Sequence, residues 1–253
     1  MSDVQNETPL GNLHTAYVHD TFNAKFITQQ FVSIVDIDKI DALKLNISSP
    51  GGDIAAAMAA KEILETKPYD IVIVATSRIS SACWYLFTGT KCLRLTYANT
   101  VWFQHEPAYN LGDREHEELF SVLPHLVAQS QQGHKDIAIA SGLPIPDVTR
   151  LFDSKTIYLT GMDVLWLGTN GLVDGVIFRE VDKSNWIILT REGLKLAHTS
   201  DTPKTIKNAP LLSDEFLKEY DLKQFVPVPP KRPTLKTMVA GLDYLTKQEL
   251  KSV

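Results

Sequence analysis

Residues 45–64 read LNISSPGGDIAAAMAAKEIL, and the register of apolar residues changes in the middle of that stretch. Before Pro50-Gly51-Gly52 the apolar residues belong to a strand. After it the Ala-rich run reads as a helix. Downstream, YDIVIVA at residues 69–75 is a continuous β-branched run of the kind buried on both faces of a parallel sheet. Strand at 44–47, helix, then strand at 69–75 make one βαβ unit. A second unit follows, with a helix at 80–88 and strands at 92–96 and 100–104 (TVWFQ), so the pattern predicts an α/β fold.

Outward from this centre, Phe22, Phe26, Ile27, Phe31, Ile34 and Val35 predict an amphipathic helix at 21–35 after a short strand at 14–18. Residues 113–140 are long, polar and helix-favouring, with Pro124 starting or kinking the helix. A short helix follows at 145–152, then a helix beginning at Thr160, and NGLVDGVI returns the chain to a strand. WIILT at 186–190 reads as the last strand. SDTPKTIKNAP and VPVPPKRP read as linkers, so the expected organisation is a body at 1–199 and a tail at 200–253 that is loosely packed or partner-docking, with short helices at 211–220 and 235–245 that dock on the body or on a neighbouring subunit.

The chain carries 25 basic and 30 acidic residues, net −5, with no basic stripe to neutralise phosphates, so nucleic acid is excluded as an expected partner. No apolar run reaches about 18 residues, and MSDVQNETPLGN lacks a signal-peptide pattern; the expectation is a cytoplasmic protein with no membrane contact. Cys83 and Cys92 sit among apolar neighbours and read as two buried thiols. The cluster DREHEEL around His116 reads as a solvated helix face, and the remaining histidines show no metal-ligand spacing, so neither metal nor cofactor is expected. Trp84, Tyr85 and Trp102 are expected in the core rather than in a pocket.

Gly51 and Gly52 lie between a strand and a helix, where bare backbone N–H groups near the positive end of a helix dipole can hold a developing oxyanion. Taken alone, Pro-Gly-Gly reads first as a tight βα turn needing positive φ. SRISSACWYLFTGTK at 77–91 then opens a helix with adjacent serines, and ANTVWFQHEP carries His105 at the end of an aromatic strand. Alone, such a serine is an N-cap and such a histidine is structural. In order, the three pieces supply donors, nucleophile and base for acyl transfer.

NISSPGGDI, the serines running into FTGTK, YANTVWFQHEP, SGLP and GLVD resemble the proteolytic subunit of the Clp protease, a serine peptidase of the ClpP/crotonase superfamily, over about residues 12–180. The resemblance implies repeated ββα units with a protruding helix near 113–140 and a C-terminal extension. It also implies hydrolysis of polypeptides, a homo-oligomeric ring, and a separate AAA+ unfoldase ATPase, since the chain has no Walker-type loop. It implies Ser80 as nucleophile, counting from Gly89-Thr90-Lys91, from His105 or from Lys67-Pro68, whereas an ungapped count from Gly52 reaches Ser81. His105 takes the place of the base, and Gly52 with the amide of Ser81 the place of the oxyanion hole. The family's aspartate falls on Lys155 or Thr156, so Asp153 is the nearest carboxylate and the candidate third member, with a Ser-His dyad and another acceptor as the alternative. Two other readings are a catalytically impaired Clp-like structural or regulatory subunit and an acyl-CoA hydratase or isomerase of the crotonase type.

Overall fold

The computed structural model describes residues 12–105, 116–153, 156–180, 185–219 and 222, of which 116–120, 153 and 179 are described by backbone alone. A nine-stranded sheet organises them. β1 (Leu13–Val18), β2 (Ala42–Ser49), β3 (Asp70–Ser80), β4 (Leu93–Tyr97) and β7 (Gly175–Glu180) run parallel in that order. β8 (Asn185–Leu189) and β9 (Leu194–His198) extend the sheet antiparallel. β5 (Val101–Gln104) and β6 (Ile157–Leu159) branch from it, β5 parallel to β3 and β6 antiparallel to β5.

The branch explains the site. β3 is longer than its apolar run, because SRIS continues the strand to Ser80 instead of opening a helix. Its first half, Val72–Ala75, pairs with β4, and its second half, Arg78–Ser80, pairs with β5. Buried Thr100 sits in the fork and donates its hydroxyl to the carbonyls of Ala75 and Thr76 at 3.0 and 3.2 Å. One hydroxyl thereby satisfies backbone acceptors that the parting strands leave open.

The amphipathic run after β1 is helical in three pieces: α1 (Ala24–Phe26), a π-helical turn (Ile27–Phe31) and α2 (Val32–Val35). Asn23 caps it by accepting from the Phe26 amide at 2.8 Å. α3 (Ile54–Thr66) follows the Pro-Gly-Gly turn, and Asp53 caps it by accepting from the amides of Ala55 and Ala56. Ser81–Thr88 is a 3₁₀ helix, every residue after Ser81 buried. α4 (His116–Ser141) contains Pro124 within it, α5 (Ile145–Asp153) follows, and Thr160 opens α6 (Gly161–Leu165) with a capping box closed by Asp163.

Trp84, Trp102, Phe87 and Phe152 meet edge to face at 4.8–5.4 Å between ring centroids, so the 3₁₀ helix, β5 and α5 share one aromatic core. Trp84, Tyr85 and Trp102 are core residues, as their sequence setting predicts. Burying such rings stabilises the fold by about 1.5–3 kcal/mol each. Both cysteines are buried.

The C-terminal reading needs two corrections. WIILT is not the last strand: β9 pairs with it as a hairpin across a turn in which Gly193 has φ +148°. SDTPKTIKNAP is not a linker but contains α7 (Pro203–Asn208), capped by Thr202 and carrying Pro203 in its first turn, where a missing N–H costs nothing. Buried Ile206, and Leu217 of α8 (Asp214–Glu219) with Leu222, pack on the sheet's core. The expected helix at 235–245 lies outside the described residues.

Candidate active site

Four segments converge where β3 and β5 end. The Pro-Gly-Gly turn is pinned before it meets the others. Ser49 donates its hydroxyl to the Asp20 carbonyl at 2.6 Å and accepts from the Gly51 amide at 3.1 Å. Phe22 clamps the turn from the other side, its N–H donating to the Gly51 carbonyl and its carbonyl accepting from Asp53, both at 2.8 Å. Gly51 and Gly52 have φ of +95° and +135°, which L side chains rarely adopt. Space demands glycine as well. A Cβ on Gly51 would lie 2.4 Å from the Ser80 carbonyl oxygen, 2.6 Å from Ser81 Cβ and 3.1 Å from the Ala82 amide nitrogen; one on Gly52 would lie 2.2 Å from the Phe22 carbonyl oxygen. The first glycine is bare so that this turn can touch the serines, the second so that it can touch Phe22.

The two serines have different settings. Ser80 ends β3 in extended conformation, has 0% exposure, and its Oγ accepts from Arg78 Nε at 2.6 Å. Ser81 is half-buried and stands at φ +52°. A left-handed backbone on a non-glycine residue costs about 1–2 kcal/mol and is concentrated at functional sites. The strand must turn sharply there to start the helix, which puts the Ser81 side chain at the corner.

His105 reaches the same corner from β5. Ser80 pairs with Phe103, and His105 lies two residues further on, so the serines and the histidine stand at the ends of neighbouring strands, about 4.8 Å apart in a sheet. The half-buried His105 ring lies 5.5 Å from Phe103, which lies 5.0 Å from Tyr158 on β6. The Trp84 indole N–H locks the strand ends together, donating to the carbonyls of Ile79 on β3 and Phe103 on β5 at 3.2 and 3.1 Å.

β6 follows the segment in which the resemblance expects a third member. Its register pairs Phe103 with Tyr158 and Gln104 with Ile157, and His105 and Thr156 each stand one residue beyond that last pair. Thr156 is exposed. Asp153 is the last residue of α5; its side chain, like Lys155, lies outside the described residues. The same holds for the side chain of His116. Among the described residues no group of three His, Cys, Asp or Glu side chains is placed to hold a metal ion, and no helix is long and apolar enough to cross a membrane.

Sequence reasoning missed Arg78. Its exposed guanidinium bonds Ser80 and lies 5.5 Å over the Phe103 ring. The signal was present: once β3 is carried through to Ser80, residues 78 and 80 share a face by the two-residue period of a strand.

The family model described as Clp protease matches residues 14–180. The mixed α/β architecture with its nine-stranded sheet is consistent with the ClpP/crotonase-like fold. No curated protein matches the chain.

Proposed function

The chain belongs to the Clp protease family, and on that premise we propose that it hydrolyses peptide bonds through a serine at the end of β3, with His105 as the base. Ser81 takes the attacking role that counting from His105, from Gly89-Thr90-Lys91 and from Lys67-Pro68 assigns to Ser80. The observation that carries this reading is the corner itself: Ser81 is left-handed, only half-buried and against bare Gly51, while the Ser80 hydroxyl is buried and held by Arg78. A nucleophile on a strained strand-to-helix turn is presented to the substrate without its neighbours in the way.

In this reaction Ser81 Oγ bonds to the scissile carbonyl carbon as His105 removes its proton. The carbonyl oxygen becomes an oxyanion held by the amides of Gly52 and Ala82, the first N–H groups of a helix being without intrahelical acceptors. Collapse expels the amine, which takes the proton from His105. A water activated by the same imidazole then releases the acyl group from the serine. Asp153 is the proposed carboxylate that orients His105. Thr156, next to the last β5–β6 pair as His105 is and uncharged, favours the second reading, an impaired Clp-like subunit. The family match favours peptidase over acyl-CoA chemistry.

Polypeptide substrates and oligomeric assembly are general to the family. For this chain we propose a homo-oligomeric ring served by an AAA+ unfoldase, supported by Leu123 and Val127 of α4, which are 40% and 37% exposed. A fluorophosphonate tests the mechanism, because only an activated serine reacts with it. Peptide mapping by mass spectrometry is expected to place the adduct on Ser81. An adduct on Ser80 restores the assignment by counting, and no adduct on either eliminates the serine mechanism.

A further inference from the structure

Among the described residues, Arg78 is a charged group at the candidate site that the proposed chemistry leaves unused. Its position is determined on two sides, by the bond from Nε to Ser80 Oγ at 2.6 Å and by the Phe103 ring 5.5 Å from Cζ. Among the described residues no carboxylate lies within ion-pair distance of it, and neither Nη nitrogen makes a hydrogen bond. The result is an oriented guanidinium with its outer edge open, three residues before Ser81 on the same strand end. A guanidinium edge presents two parallel N–H donors, a match for the two oxygens of a carboxylate that an amide or hydroxyl cannot supply. An ordinary surface arginine would be free to swing away. This one is held by a buried hydroxyl, so the fork is pre-organised and less side-chain entropy is lost on binding.

We propose that Arg78 is a specificity-determining residue that selects substrates carrying a carboxylate beside the scissile bond; the proposal rests on the serine-peptidase reading of this site. The carboxylate can come from an acidic side chain or from the free C-terminus of a short peptide, and both present the same two oxygens to the fork. Arg78 donates to it without taking part in bond making, and its effect appears in the choice among substrates.

The test uses the full chain and two sets of fluorogenic peptides. The first set has blocked ends and differs only in Glu against Gln on either side of the scissile bond. The second has no acidic side chain and differs only in a free against an amidated C-terminus. In wild type, kcat/KM for the carboxylate member of at least one set is expected to exceed its neutral partner on the order of tenfold, the ratio expected of one charge-assisted pair at a partly exposed site. Arg78→Gln is expected to bring that ratio close to one, and Arg78→Lys to restore it in part, since the charge returns without the fork. The set that responds identifies the source. Ratios near one in both sets for wild type overturn the proposal while leaving the peptidase reading intact, as does a wild-type ratio that survives Arg78→Gln. Failure of the wild type to cleave any peptide, with no fluorophosphonate adduct, removes the peptidase reading and this proposal with it.

Discussion

Gly51→Ala is the substitution that most directly tests whether the turn and the serine corner form one unit. The added methyl would stand 2.4 Å from the Ser80 carbonyl oxygen and 2.6 Å from Ser81 Cβ, where ordinary contact begins at 3.4 Å, so relief requires a displacement of about 1 Å. The neighbours that must move are backbone and Cβ atoms, not the flexible end of a side chain. The backbone itself, at φ +95°, adds about 1–2 kcal/mol for an L residue, and overpacking adds about 1–3 kcal/mol. A total near 3 kcal/mol lowers Tm by about 9 °C in a chain of this size. The chemical effect should be larger than the thermal one. A misplacement of about 1 Å at a reacting group costs about 100-fold, so the fluorophosphonate labelling rate should fall by about that factor in protein that is still folded. Gly193→Ala is the control: it also has positive φ, +148°, but its nearest neighbour is the Leu211 Cδ2 at 3.2 Å, far from the site. It should lose some stability and label at the wild-type rate. Labelling of Gly51→Ala at the wild-type rate, with the protein folded at the assay temperature, would refute the coupling of turn and serine.

Other outcomes follow from the same geometry. Asp153→Asn is expected to lower kcat for peptides, by up to about 10⁴-fold if its carboxylate orients His105; unchanged kinetics would leave a Ser-His dyad or another acceptor. Burial, then the Glu180 carboxylate accepting its hydroxyl at 3.0 Å, pushes Tyr97 up to about 12, and burial followed by the charge of Asp36 does the same to Tyr69, whose hydroxyl donates to the Val35 carbonyl. Each folded value lies above the unfolded one near 10, so these phenols stabilise the fold fully below about pH 10 and the contribution is lost as pH rises through about 12. Urea midpoints should therefore drop between about pH 9 and 12, and less steeply in the double variant Tyr69→Phe with Tyr97→Phe; equal slopes would contradict the assignment. Burial pushes the Cys92 thiol up to about 12 and Cys83 further still, and both side chains are sealed in the core. Ellman's reagent should find no fast-reacting thiol in native protein and two after denaturation, and rapid native reaction at either would show that the core opens.

Where sequence and structure agree, the reason is local. Apolar run, Pro-Gly-Gly and Ala-rich stretch each specify their element through nearest-neighbour chemistry, and Asp53 and Thr160 cap the helices that begin at the next residue. The α/β class and the glycine requirement at the turn were legible for that reason. Ser80 was read as a helix start because serine favours N-caps, yet pairing with Phe103 keeps it in the strand and shifts the corner by one residue to Ser81. That single step separates a fully buried serine from a half-buried one at positive φ, and no local propensity encodes it. β9 and α7 were missed because polar, Pro-containing sequence takes a fixed place only when a neighbour pays its ordering entropy, here β8 for the strand and the sheet core for Ile206. The sequence by itself determined the elements and the bare turn. Only the tertiary structure, through the fork of β3, decided that the strand runs on to Ser80, that its end lies beside β5, and that Arg78 lies over the Phe103 ring, because all three depend on strand partners distant along the chain.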